Sequence, residues 1–283
     1  MSLEIFAIYG FLLLSIIAIP FQKKLFKRIP IWTLLLSVSL LSAFLFKRTS
    51  VNSLAYTIIF GSVVYYYYKL KNLILFLTVI LLAIPLFFHF PLLEFTNYNY
   101  IKGVILTPNA VPYSLYFNLD KTLIGIFIIG CNFQQKTFNF NKTGKLLARL
   151  LALMIVFLFI SSSLIGYTKF EPKIPSFIGV WIITNLFFTC FAEEALFRGL
   201  IQQQINEALS GKYANILSIT IASLLFGLAH FTGGVSYILL ASIAGGFYGY
   251  IYYKSHRIES AIALHFIFNL VHLIFFTYPA LKP

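Results

Sequence analysis

Residues 72–91 read NLILFLTVILLAIPLFFHFP, with a single ionisable side chain, His89. A helix needs about 20 apolar residues to cross the hydrocarbon of a bilayer. Lipid offers no partners to backbone amides and carbonyls, so such a run must close its own hydrogen bonds as a helix. The pattern extends along the chain. Spans are expected at Glu4–Pro20, Ile31–Phe46, Val51–Tyr68, Asn72–Leu93, Leu146–Tyr167, Phe177–Asn206, Tyr213–Ala229, Ser236–Tyr253 and Ser260–Tyr278. Thr122–Phe133 is only about half a normal span and reads as re-entrant or surface-lying. The expected fold class is all-α, a polytopic membrane bundle of about eight to ten helices.

Composition points the same way. The chain has 283 residues, 60% of them hydrophobic and 10% charged, against about 25% charged in a soluble domain. The net charge of +13 does not suggest nucleic acid, because the basic residues sit at the ends of apolar blocks. Lys23, Lys24, Lys27 and Arg28 follow the first block, and Lys136, Lys142, Lys145 and Arg149 surround a later junction. That is the pattern of inner-face loops against anionic headgroups. It favours an external N-terminus, a cytoplasmic first loop, and a multi-pass protein of the cytoplasmic (inner) membrane with lipids as partners. Tyr65–Tyr68 followed by Lys69 resembles an interfacial anchor. Glu4–Pro20 lacks a basic n-region and reads as a retained helix rather than a signal peptide. Cys131 and Cys190 lack metal-type spacing and read as small core residues. Between Glu94 and Asp120 the chain turns polar, with Asn97, Asn99, Pro108, Asn109 and Pro112, and reads as a surface loop. A soft boundary there separates an N-terminal helical region, 1–120, from a second domain, 121–283.

The acids carry the first chemical signal. Glu4, Glu94, Asp120, Glu171, Glu207 and Glu259 lie near span ends or in loops, and Asp120 has Lys121 beside it to explain it. Glu193 and Glu194 instead lie deep within an apolar block, where a carboxylate is costly and marks a functional site by default. Consecutive helical side chains diverge by about 100°, so the two acids face different directions. Glu194 precedes Arg198 by four residues, the favourable order for an ion pair. Glu193 lies over Phe197, with no basic residue one turn on, and suits a cavity-facing base.

The histidines give the second signal. His230 ends the helix carrying Phe226, and His265 and Asn269 share a face at i,i+4. His89, His256 and His272 read as structural or solvated. Glu193 lies 16 residues before Leu209, about 24 Å of helix, and His230 lies 19 residues after Gly211, about 28 Å, so the two reach similar depth. His265 lies six residues beyond Glu259, only about 9 Å. To reach the others it needs Ser236–Tyr253 tilted, offset or broken at Gly245–Gly246.

The ordered set Glu193-Glu194-x-x-x-Arg198, Phe226-x-x-x-His230 and His265-x-x-x-Asn269 resembles the CPBP family of intramembrane proteases. That family includes the CAAX prenyl protease 2 enzymes and bacterial Abi-type proteins linked to bacteriocin processing or immunity. The resemblance covers roughly Leu146–Pro283. It implies an intramembrane endopeptidase that cuts a membrane-associated or lipidated protein. Carried over, Glu193 is the catalytic glutamate and His230 its partner in activating water. His265 and Asn269 stabilise the oxyanion, with Glu194, Arg198 and Phe226 supporting. No cofactor is required on this reading. The alternative is a Zn2+ enzyme with Glu193, His230 and His265 as ligands, although H-E-x-x-H is absent. The expected partner is a protein or peptide at the membrane, with lipidated proteins among the candidates, and no nucleic acid. Serine and aspartyl rivals lack their motifs: Gly234-Val-Ser236-Tyr237 has no second glycine, and no G-x-G-D occurs. A transporter, or a non-catalytic immunity protein of the same family, is the competing non-enzyme reading.

Overall fold

The computed structural model describes residues 3–25, 29–133 and 140–282. Lys27, Arg28 and Lys136, named above for their charge, lie outside the described residues. The helices are α1 (Leu3–Phe21), α2 (Ile31–Leu45), α3 (Val51–Leu70), α4 (Leu73–Phe87), α5 (Leu119–Asn132), α6 (Phe140–Leu164), α7 (Ile178–Ala208), α8 (Ala214–Leu228), α9 (Gly234–Ser255) and α10 (Ile258–Phe275). The chain is all-α apart from two short strand pairs, Lys24–Leu25 with Ile29–Pro30, and β1 (Tyr98–Val104) with β2 (Tyr113–Phe117).

Among the described residues, five stretches are long and apolar enough to cross a membrane: Leu3–Phe21, Asn141–Leu164, Ile178–Ala208, Phe231–Ser255 and Ile258–Phe275. α2, α4 and α8 are shorter apolar helices. Ile74, Leu77 and Leu81 of α4 are 73%, 55% and 66% exposed, a surface that water does not tolerate and lipid does. The chain is a multi-pass membrane protein.

Local chemistry sets the helix ends. α3 starts at a reciprocal Ser50/Ser53 capping box and stops where Lys71 turns left-handed, at φ 50°. Asn72 then caps α4, its side chain accepting from the amides of Ile74 and Leu75. α4 ends at Phe87, short of the expected Leu93, because His89 adopts φ 55° and Pro91 opens a separate turn.

The chain clusters into two units. The first comprises Met1–Tyr100, Tyr116–Gln135 and Phe187–Ala192. Backbone carbonyls are tied here by small polar side chains, Ser15 Oγ to Trp32 O at 2.9 Å and Ser39 Oγ to Ile8 O at 2.7 Å, the usual glue of membrane helices. Two expectations are corrected in this unit. α5, expected to be re-entrant or surface-lying, does not lie on the surface: Leu123, Ile124 and Ile126 are fully buried. Asp120 is not explained by its neighbour's charge alone. Its buried carboxylate accepts from His89 Nδ1 at 2.8 Å, Asn97 Nδ2 at 2.9 Å and the Lys121 amide at 2.8 Å. The left-handed turn at His89 makes that contact, and sequence spacing does not reveal it.

The second unit comprises Ile101–Leu115, Lys136–Leu186 and Glu193–Pro283. α8 and α9 touch backbone to side chain at Gly227, where a Cβ would fall 1.9 Å from Ser242 Oγ and 2.6 Å from Ile238 O. Trp181, Leu115 and Leu273 form a core flanked by Tyr113, Phe177 and Tyr278. The segment expected to be a plain loop, Glu94–Asp120, holds the paired strands β1 and β2.

In this unit one carboxylate gathers three segments. Glu171 accepts from Thr107 Oγ1 at 2.5 Å, Asn109 Nδ2 at 2.7 Å and Thr277 Oγ1 at 2.9 Å. The Thr107 hydroxyl first, then the Asn109 amide, hold its carboxyl below the usual carboxylate range, with Thr277 and Lys173 adding and desolvation opposing. A lowered pKa means stability that is present above the ordinary carboxylate range and lost as pH falls through the folded value. Wild type in detergent should therefore lose thermal stability over that acid window. Glu171→Gln should be less stable near neutrality and nearly flat across the window. Parallel curves for the two proteins would remove Glu171 from the stability of this end.

Candidate active site

Glu193 and Glu194 lie on α7 between two π-helical stretches, Thr184–Cys190 and Ala195–Gln202. Such widened turns recur at functional sites. Both acids are buried, and Glu194 and Arg198 are 0% exposed. Arg198 Nε stands 3.2 Å from Glu194 Oε2, a close charge contact off the hydrogen-bonding direction. The expected i,i+4 pair is present. Arg198 also reaches α9, donating from Nη2 to Gly245 O at 2.9 Å, and its Cζ lies 4.7 Å from the centre of the Phe226 ring.

His265, on α10, is the residue that both acids meet. Its Nδ1 lies 2.8 Å from Glu194 Oε1, and its Nε2 lies 3.9 Å from Glu193 Oε2. Although adjacent side chains on a helix diverge, the two glutamates approach the two nitrogens of one imidazole. With a carboxylate at Nδ1, the proton on that nitrogen is assigned by its partner, and any second proton goes to Nε2.

His230 follows α8 and is half-buried. Its Nδ1 lies 2.7 Å from Phe226 O, so that nitrogen is assigned the proton and Nε2 the lone pair. Phe226 links the set, with ring centroids 4.7 Å from His230, 5.7 Å from His265 and 5.2 Å from Phe197. Asn269, one turn beyond His265, donates Nδ2 to Asn185 Oδ1 at 3.4 Å.

The structure thus brings Glu193, Glu194, Arg198 and His265 into direct contact, with Phe226 between them and His230. It also decides how His265 gets there. α9 runs unbroken through Gly245–Gly246, so the break considered from sequence does not occur. Arg198 bonds Gly245, Gln202 bonds Gly249 and Tyr252 bonds Gln203 at 3.2 Å, so α7 and α9 run side by side in the same direction, and His265 enters the set beside Tyr248 of α9, ring centroids 4.5 Å apart. Asn185, Gln202 and Tyr248 were not singled out from sequence for this neighbourhood, and Gly245 was named only as a possible break in α9. The only signal available was the glycine pair Gly245 and Gly249, four apart on one helix face.

Among the described residues, no three His, Cys, Asp or Glu side chains gather as ligands to one ion. The Glu193, His230 and His265 set of the zinc alternative is not assembled in this arrangement.

One stretch of the chain matches a known family model. Residues 175–271 match the family model described as Rce1-like, type II CAAX prenyl endopeptidase Rce1-like. Those bounds contain all three motifs. No curated protein and no solved structure matches the chain. Over that stretch the chain carries the signature of a membrane protease family, the Rce1-like endopeptidases, in agreement with the resemblance that its three motifs announce.

Proposed function

We propose that this protein is an intramembrane endopeptidase of the CAAX prenyl protease 2 type. It hydrolyses a peptide bond in a membrane-associated or lipidated protein, from a place in the cytoplasmic membrane. The observation that carries this reading is the buried Glu193–His265–Glu194–Arg198 cluster within the family-matched segment.

Glu193 acts as general base and His230 shares the water through Nε2. The water attacks the substrate carbonyl, and His265 and Asn269 donate to the oxygen as it becomes negative. Glu193 then returns its proton to the leaving amine. Because Nδ1 of His265 faces Glu194, donation to the oxyanion must come from a protonated Nε2. The mechanism needs no metal. Zinc would draw on Glu193, His230 and His265, and elemental analysis before and after chelation tests for it.

One distance favours a second division of labour. The 3.9 Å between Glu193 Oε2 and His265 Nε2 is too long for a hydrogen bond, and is the kind of gap a water bridges. On that variant His265, rather than His230, holds the nucleophilic water with Glu193. His230→Ala would then raise KM with little change in kcat.

The test of the proposal is cleavage itself. Purified protein in liposomes should cut a lipid-anchored peptide, with the new termini identified by mass spectrometry, and chelator should not stop it. No cleavage of any membrane-associated peptide would favour the immunity or transport readings. His265→Ala and Asn269→Ala should each lower kcat, by about 10- to 100-fold, more than they raise KM, because their bonds strengthen only as charge develops. A pure KM effect would reassign them to substrate binding.

A further inference from the structure

Three places outside the assigned machinery hold organised chemistry: the His89–Asp120–Asn97 cluster of the first unit, the Glu171 clasp, and the face of α9 that meets His265. The last carries the furthest inference. Tyr248 lies in the middle of α9 and is 1% exposed. Its ring stacks on the His265 imidazole, with centroids 4.5 Å apart and planes at 17°. It meets Phe226 edge-on at 5.9 Å, and the Arg198 guanidinium lies 5.4 Å from its centre.

The helix that carries Tyr248 is fixed on both sides of it. Arg198 Nη2 donates to Gly245 O at 2.9 Å, and Gln202 Nε2 donates to Gly249 O at 3.0 Å. Donors four apart on α7 thus meet acceptors four apart on α9, as two rungs. Both rungs sit at close approaches. A Cβ at 249 would lie 2.8 Å from Gln202 Oε1, and one at 245 would lie 3.1 Å from Ser223 Cα.

We infer that Tyr248 is a positioning residue for His265, and that the Arg198–Gly245 and Gln202–Gly249 rungs hold its ring in place. The bond from Nδ1 to Glu194 fixes one direction in the imidazole plane but leaves rotation about that bond. The face of Tyr248 removes that rotation. Together they aim Nε2 toward Glu193, where the reacting oxygen sits in the proposed mechanism, on which the catalytic part of this inference rests. A displaced donor loses rate out of proportion to the displacement, with about 10²-fold for 1 Å.

The role belongs to the plane of the Tyr248 ring. Tyr248→Phe should keep kcat within about threefold, while Tyr248→Leu should lower it about 30- to 100-fold with KM within about twofold. A second readout needs no substrate. With histidine-selective labelling in detergent, and His265→Gln for assignment, the carbon-bound His265 protons should be shifted upfield by the Tyr248 ring current. The shift should survive Tyr248→Phe and vanish in Tyr248→Leu. If the leucine variant does not fold, Tyr248→Met, which fills space without a planar face, replaces it with the same expectations. Unchanged His265 resonances in the leucine or methionine variant would overturn the inference. So would wild-type kcat in either variant while Glu193→Gln is inactive, and the protease reading would then stand. If no protein cleaves anything but the ring-current pattern is as expected, the stacking role stands and the protease reading fails.

Discussion

Arg198→Ala is expected to lower stability by about 3–5 kcal/mol, the range for removing one partner of a buried ion pair. The guanidinium is wholly buried, 3.2 Å from Glu194 Oε2, and it ties α7 to α9 through Gly245 O. Its loss leaves the Glu194 carboxylate in the bundle without that charge and opens the space beside Phe226 and Tyr248. The double change Glu194→Gln with Arg198→Met should recover most of the loss, because no charge is stranded. The glutamine carbonyl can still accept from His265 Nδ1. Thermal unfolding in detergent, with wild type and the single and double variants side by side, measures this. An Arg198→Ala protein as stable as wild type but inactive would move Arg198 from support to substrate binding.

That expectation began as a sequence reading, and how far the reading reached has a physical explanation. Helices were legible because lipid forces backbone bonds to close locally, so a run such as 72–91 has one available structure. Its far end was misjudged, because a left-handed residue such as His89 ends a helix without leaving an apolar signature. The Glu194–Arg198 pair was legible because i,i+4 geometry belongs to a single helix. Contacts between helices were another matter. The motifs named Glu193, His265 and Asn269 through resemblance, but not that Glu194 would hold His265. That contact joins residues 71 apart on two helices, and no local spacing encodes it. Tyr248 was passed over for the same reason: among the many tyrosines of the chain, its stack on His265 is a contact between two helices. In the first unit, Asp120 was matched to its sequence neighbour, while its carboxylate accepts from His89 and Asn97, 31 and 23 residues away.

The central claim is that Glu193 does the chemistry, and Glu193→Gln tests it most directly. The substitution keeps the shape of the side chain and an oxygen able to face His265 Nε2, and removes the carboxylate charge and with it the capacity to take and return a proton. General-base catalysis contributes about 10²–10⁴-fold, so kcat on a membrane-anchored peptide should fall by at least the lower figure. The unfolding temperature in detergent should stay at or near that of wild type, since the Glu194–Arg198 and Glu194–His265 contacts remain. The measurement is turnover by purified wild type and Glu193→Gln, matched for folding, in the same liposomes with the same peptide. The account predicts cleavage by wild type and loss of at least about 10²-fold in the variant. A folded Glu193→Gln protein that cuts at the wild-type rate would contradict it.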